Sequence, residues 1–113
     1  MESLESRIER LEFYQQLLLE TLDRENADFY KLIVGANLTK EEVNALYKLC
    51  EDLNVELQMQ KAEGLVVFSP LLTQFAGLLH PNLNVERTIE VFLNKGMFIA
   101  LMQEFKKVLN KNE

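Results

Sequence analysis

The sequence predicts an all-α fold, a compact multihelical domain of about five to six helices with long first and third helices. Three observations carry that expectation. Apolar residues recur at spacings of three and four, and valine and isoleucine never alternate with polar residues for long enough to make a strand. Glycine and proline number only 4 and 2 in 113 residues, too few for a turn-rich β fold. Helix-start and helix-stop residues also punctuate the chain at helix-length intervals.

Helix one is expected from about Leu4 to Asp23. Leu4, Ile8, Leu11, Leu18 and Leu22 follow alternating steps of four and three, with Gln15 in the one polar gap. That spacing is the seam of a coiled coil. Phe13, Tyr14, Leu17 and Leu19 add apolar surface on the flanks and back, so one neighbouring layer cannot bury them all. Such a helix needs cover from its own domain, from a second copy, or from both. The predicted oligomer interface is Leu4, Ile8, Leu11, Phe13, Tyr14, Gln15, Leu17, Leu18 and Leu22. Gln15 either fixes register and copy number or lies at the stripe's edge and reaches water. Arg7 and Arg10 stand at helical ion-pair spacing from glutamates. Removing residues 1–24 is expected to leave an aggregating or unfolded chain.

A short second helix spans about Ala27 to Val34, with Asn26 as N-cap and Gly35 as its stop. The third has the clearest local signal. Thr39-Lys-Glu-Glu42 matches a capping box, and Leu38 can staple onto Val43. Val43, Leu46, Tyr47, Cys50, Leu53 and Leu57 then share one face, with Asn54 inside it, and the helix stops at Gly64. Helices one and three, the two long ones, are expected to pack together. Leu65–Phe68 is an extended link. Ser69-Pro70 reads as N-cap and first helical residue of helix four, which runs to Leu79. His80-Pro81-Asn82 breaks it, Asn84 opens helix five with Val85, Thr88, Ile89 and Phe92 on one side, and Gly96 closes it. Helix six runs from Met97 to about Leu109, aligning Phe98, Leu101, Met102, Phe105, Val108 and Leu109. No repeat or linker divides the chain, so residues 1–113 are read as one domain.

The formal net charge is −6, and it is uneven: residues 1–64 carry 14 acids against 7 bases, residues 65–113 carry 4 against 5. An acidic chain without a basic stripe argues against nucleic acid as a partner. Lys106, Lys107 and Lys111 suit the negative end of the last helix dipole. The start Met1-Glu-Ser-Leu-Glu lacks a signal peptide's basic and apolar regions. The longest apolar runs fall far short of the ~20 residues a membrane span requires. A single cysteine, Cys50, forms no internal disulfide. A cytoplasmic protein with no membrane partner is the expectation.

Several segments carry a resemblance. Arg7-Ile-Glu-Arg-Leu-Glu12, Leu38-Thr-Lys-Glu-Glu42, Gln60-Lys-Ala-Glu-Gly64 and Phe75-Ala-Gly-Leu78 stand in the order and spacing of the YhaI-like family. The sequence thus resembles those small uncharacterised helical proteins of Gram-positive spore-forming bacteria over nearly its whole length. The resemblance implies a multihelical fold that self-associates in a bacterial cytoplasm. It implies no activity, because the matching segments are a helix face, a cap, a helix end and a packing turn.

No residue pattern selects a chemistry. His80, the single histidine, has no acidic neighbour in sequence and reads as a loop residue or polar cap. Cys50 sits mid-stripe, where burial keeps a thiol inert. Glu41-Glu42 complement a helix N-terminus, Glu51-Asp52 a solvated face. Asp23, Glu25 and Asp28 lack the spacing of a calcium loop. No phosphate loop, dinucleotide fingerprint or nucleophile elbow occurs. Neither catalytic residues nor metal or cofactor ligands are expected. The function favoured is a non-enzymatic homo-oligomeric interaction or scaffolding protein that binds itself as dimer or trimer, or another protein. The alternative is a binding module whose apolar pocket takes a small lipid-like ligand or a partner helix, built near Phe92, Met97, Phe98, Met102 and Phe105.

Overall fold

The computed structural model of the protein describes residues 2–22 and 24–111, with the side chains of Arg24 and Glu25 excepted. Among these the chain forms six helices and no strand: α1 (Leu4–Thr21), α2 (Arg24–Gly35), α3 (Lys40–Ala62), α4 (Ser69–Leu78), α5 (Val85–Lys95) and α6 (Ile99–Lys111). The all-α expectation and the long first and third helices hold. The expected end of helix one at Asp23 lies outside the described residues, as do the acidic trio's Asp23 and the side chain of Glu25.

Local chemistry sets most helix boundaries. At α3, Thr39 Oγ1 accepts the Glu42 N–H at 3.1 Å, while Glu42 Oε1 accepts the Thr39 N–H at 2.9 Å. That reciprocal pair satisfies two of the amides a helix start leaves free. Its far end closes on Gly64 at φ 87°. The Leu65 N–H donates to the Gln60 carbonyl at 2.9 Å and the Gly64 N–H to that of Lys61 at 3.0 Å, the paired bonds of a Schellman end. A residue with a Cβ is strained there. Asn84 Oδ1 caps α5 by accepting the Arg87 N–H at 2.8 Å.

Four boundaries differ from expectation. Asn26 lies inside α2 instead of capping it, and Gly35 is the helix's last residue, not its stop. The left-handed position falls two residues later, on Asn37 at φ 57°. Its N–H and that of Leu38 bond back to Val34 and Ile33; asparagine is among the few residues other than glycine that tolerate this conformation. Ser69 is the first residue of α4, and the cap position falls on Phe68 with no side-chain bond. Finally, Phe98 adopts φ 50°, which delays α6 to Ile99.

The body of the protein is α2–α6. Helix α6 packs on α3, α4 and α5; α3 also packs on α4, and α2 covers α5. Phe75, Phe92, Phe105, Leu57, Leu101 and Met102 are fully buried. The Phe75 and Phe105 rings meet at 5.0 Å, and Phe92 lies 5.9 Å from Phe29. Each such side chain contributes about 1.5–3 kcal/mol by leaving water. The one buried polar side chain among the described residues, Thr88, donates its hydroxyl to the Asn84 carbonyl at 2.7 Å. Between α2 and α5, Lys95 Nζ donates to Asn26 Oδ1 at 3.0 Å and stands 4.8 Å over the Phe29 ring.

Helix α1 stands apart. Its chief neighbour is α2, so the expected pairing of the two long helices is not formed; α3 spends its apolar face on α4 and α6. None of its residues is buried, and the core begins at Leu32. The molecule measures 64 × 25 × 24 Å with a radius of gyration of 17.3 Å, against about 13 Å for a compact chain of this length. An 18-residue rod about 27 Å long that leaves the body accounts for the excess. Since no described residue of α1 is buried, the body's core does not draw on α1, which bears against the unfolding part of what loss of residues 1–24 is expected to cause.

Candidate functional site

The surface that distinguishes this protein is α1. Ser3 starts the helix, its hydroxyl accepting the Ser6 N–H at 3.1 Å. Near the other end, the Thr21 hydroxyl donates to the Leu18 carbonyl at 2.7 Å. Along the rod, Leu4, Ile8, Leu11, Phe13, Tyr14, Leu17, Leu18 and Leu22 are all exposed, by 37% to 69% of their surface, and Gln15 is exposed with them. Every residue named as an interface from sequence is thus solvent-facing in the single chain. Only Leu19 is half-covered.

These residues fall into two stripes. In the coiled-coil lettering Ile8, Gln15 and Leu22 occupy position a, and Leu4, Leu11 and Leu18 position d. At about 100° per residue, Phe13 and Leu17 lie on the opposite side of the rod, with Tyr14 between. The Phe13 and Tyr14 rings lie 6.1 Å apart. Soluble monomers rarely leave contiguous apolar patches of this kind open, and larger ones mark interaction surfaces.

Charge frames the seam. Arg10 bridges to Glu2 at 2.6 Å, an acid eight residues away, in place of the expected pairing at three or four residues. Arg7 and Glu12, which flank the seam at positions g and e, make no ion pair with any described residue of their own chain. The alternation of letters in the sequence carried that signal, but only the exposure of α1 gives it meaning.

His80 sits elsewhere, in the turn between α4 and α5. Its Nε2 lies 2.6 Å from Glu42 Oε2, and its Nδ1 accepts the Asn82 N–H at 3.0 Å. An amide proton on Nδ1 requires a free lone pair there, so the ring proton is on Nε2 and is donated to Glu42. Both ring nitrogens are occupied by the fold. Glu42's carboxyl is held below its ordinary 4.5, first by the Thr39 backbone N–H and further by His80. Asn82 Nδ2 adds a bond to the Ala36 carbonyl at 3.0 Å. The cluster therefore clamps the α4–α5 turn onto the start of α3. Sequence reading missed the Glu42 partner because 38 residues separate it from His80.

Cys50 is fully buried, and its thiol is pushed up to about 12, chiefly by burial. It packs as a small hydrophobe. Phe92, Met102 and Phe105, placed by sequence near an apolar pocket, are instead fully buried core, with Met97 and Phe98 half-buried beside them. An open groove of about 590 Å³ lies at the other end of α6, between the Leu65–Phe68 link, Lys61 and Lys107. Among the described residues, no three His, Cys, Asp or Glu side chains converge as a metal site would require, and no helix is long and apolar enough to cross a membrane.

A family described as protein of unknown function, DUF1878, matches residues 1–110, and the chain belongs to that family.

Proposed function

We propose that this protein is a non-enzymatic interaction or scaffolding module that binds further copies of itself through α1. One observation carries the reading: seven large apolar side chains of one helix, and Leu22 at its C-cap, are exposed, and none of that helix is buried by its own chain. Covering them releases water at roughly 25 cal/mol per Å² of apolar surface. A seam of seven-residue period gives that surface a ready partner in its own kind. Closed assemblies of two or three copies are the arrangement proposed, since two-fold pairing is commonest among soluble oligomers. The engagement of both His80 nitrogens and the inert Cys50 thiol support a role without catalysis. The likeness to YhaI-like proteins of Gram-positive spore-forming bacteria supports the same role, with the cytoplasm as its site.

The test is sedimentation of the full chain across micromolar concentrations, beside a Leu11→Lys, Leu18→Lys variant. Concentration-dependent dimers or trimers are expected, and the variant is expected to sediment as a single copy with its body's cooperative melt retained. A wild-type chain that remains a single copy throughout overturns the proposal.

A further inference from the structure

We infer that α1 meets α1 of a second copy side by side, both helices pointing the same way and in register, with Arg7 of each copy facing Glu12 of the other. This rests on the reading of α1 as the self-contact surface and adds its direction and alignment. Two features of the exposed rod decide between the arrangements: the polar Gln15 within the seam, and the charges on its flanks.

Consider first two helices running in opposite directions with the seam fully overlapped. Position a then packs against position d. Leu4 would face Leu22, Ile8 would face Leu18, and each Gln15 would face Leu11 of the other copy. On the flanks, position e meets e and g meets g. Glu12 would confront its own copy, Arg7 would face Thr21, and no opposite charges would meet. Both Gln15 side chains would press an amide onto an apolar side chain without a hydrogen-bond partner. Burying an amide unpaired costs about 1–3 kcal/mol, and like charges directly opposed add to the penalty.

With both helices running the same way, each layer of the seam pairs like with like. Gln15 meets Gln15, where one amide donates to the other, and Leu and Ile layers stack above and below. Position g of one helix faces position e of the next heptad on its neighbour. That places the Arg7 guanidinium against the Glu12 carboxylate on both sides of the seam, and Tyr14 against Leu19. Arg7, Glu12 and Glu5 are the flanking charges that make no ion pair with any described residue of the single chain, and the first two are the opposite charges this register brings together; Arg10 is already held by Glu2 at 2.6 Å. Sliding one helix by seven residues would set Gln15 against Ile8 or Leu22 and discard about a third of the overlap, so the buried amide fixes alignment as well as direction. The same g-to-e pairing operates around a seam of two or three helices, so the inference holds for either copy number.

The test uses the full chain in a glutathione redox buffer, where only lasting contacts form disulfides. Cys50 is buried and inert, so it stays in place. A Leu4→Cys variant is expected to form a covalent pair by itself. Running in opposite directions, the two substituted sites would lie about 27 Å apart, and a disulfide would appear only on mixing Leu4→Cys with Leu22→Cys chains. In parallel, Arg7→Glu is expected to raise the dissociation constant about tenfold, Glu12→Arg to do the same, and the double exchange Arg7→Glu with Glu12→Arg to restore it. Cross-linking only in the mixture, or a double exchange that restores nothing, overturns the inference while leaving self-association intact. Association with neither cross-link nor charge dependence also overturns it, and points to a contact away from the seam. A chain that never associates overturns both this inference and the reading beneath it.

Discussion

At the scale of single residues, the clearest link between chemistry and stability is Glu42. Its carboxylate accepts the Thr39 N–H through one oxygen and the His80 ring proton through the other. The folded-state group therefore holds its charge at lower pH than the 4.5 of an unpaired glutamate. As pH falls, the unfolded chain takes up the proton first, so stability is present above about 4.5 and is lost as pH drops through the folded value. A Glu42→Gln variant keeps the shape and an acceptor for the Thr39 amide but cannot titrate. Its melting temperature is expected to fall less than wild type between about pH 6 and pH 3, as followed by circular dichroism. Equal losses in both proteins would remove Glu42 from the acid response. None of this was legible from the letters around His80, because ring and acid meet only when the α4–α5 turn folds back on α3. Cys50, by contrast, was legible as inert from its place in an apolar stripe, and its full burial follows from that place.

At the scale of elements, the sequence was most informative where a boundary is set by neighbouring residues alone. The capping box of α3, the Asn84 cap of α5 and the glycine ends at 64 and 96 all form as read, since each needs only residues within one turn of the boundary. A Thr39→Ala variant is expected to lose about 1 kcal/mol, seen as a lower urea midpoint with an unchanged slope. An unaltered midpoint would show that the His80 clamp holds α3 without its cap. Where two residues compete for one role, the letters were less decisive. Gly35 and Asn37 both tolerate a helix stop, and the chain uses Asn37, two residues later, with Ala36 between them buried in the core and its carbonyl accepting the Asn82 amide. Ser69 likewise competes with Phe68, and burial of the Phe68 ring fixes the first turn of α4 one residue earlier than its cap signal.

At the scale of the whole molecule, periodicity showed which helices are apolar but not which of them meet. Two long apolar helices in one short chain suggested mutual burial. The structure gives α3 to α4 and α6 and leaves α1 outside. Pair choice depends on how several helices share one core, a property no single stripe encodes. A chain lacking residues 1–22 is accordingly expected to keep a cooperative melt and to scatter light as a single copy, with helical signal reduced by the share of α1. Aggregation of that shortened chain would show that α1 shields apolar surface on the body. Phe13 and Leu17, opposite the seam, remain uncovered by simple pairing along it, and the same truncation removes them.

That the interior begins only at Leu32 has a bearing on how such a chain can change over generations. On the proposed reading of α1, substitutions that keep the protein folded and substitutions that alter whom it joins fall on different stretches of the sequence. Descendants of one ancestral copy could thus acquire separate, mutually exclusive companions by exchanging a few letters near the amino terminus, with no toll on foldedness.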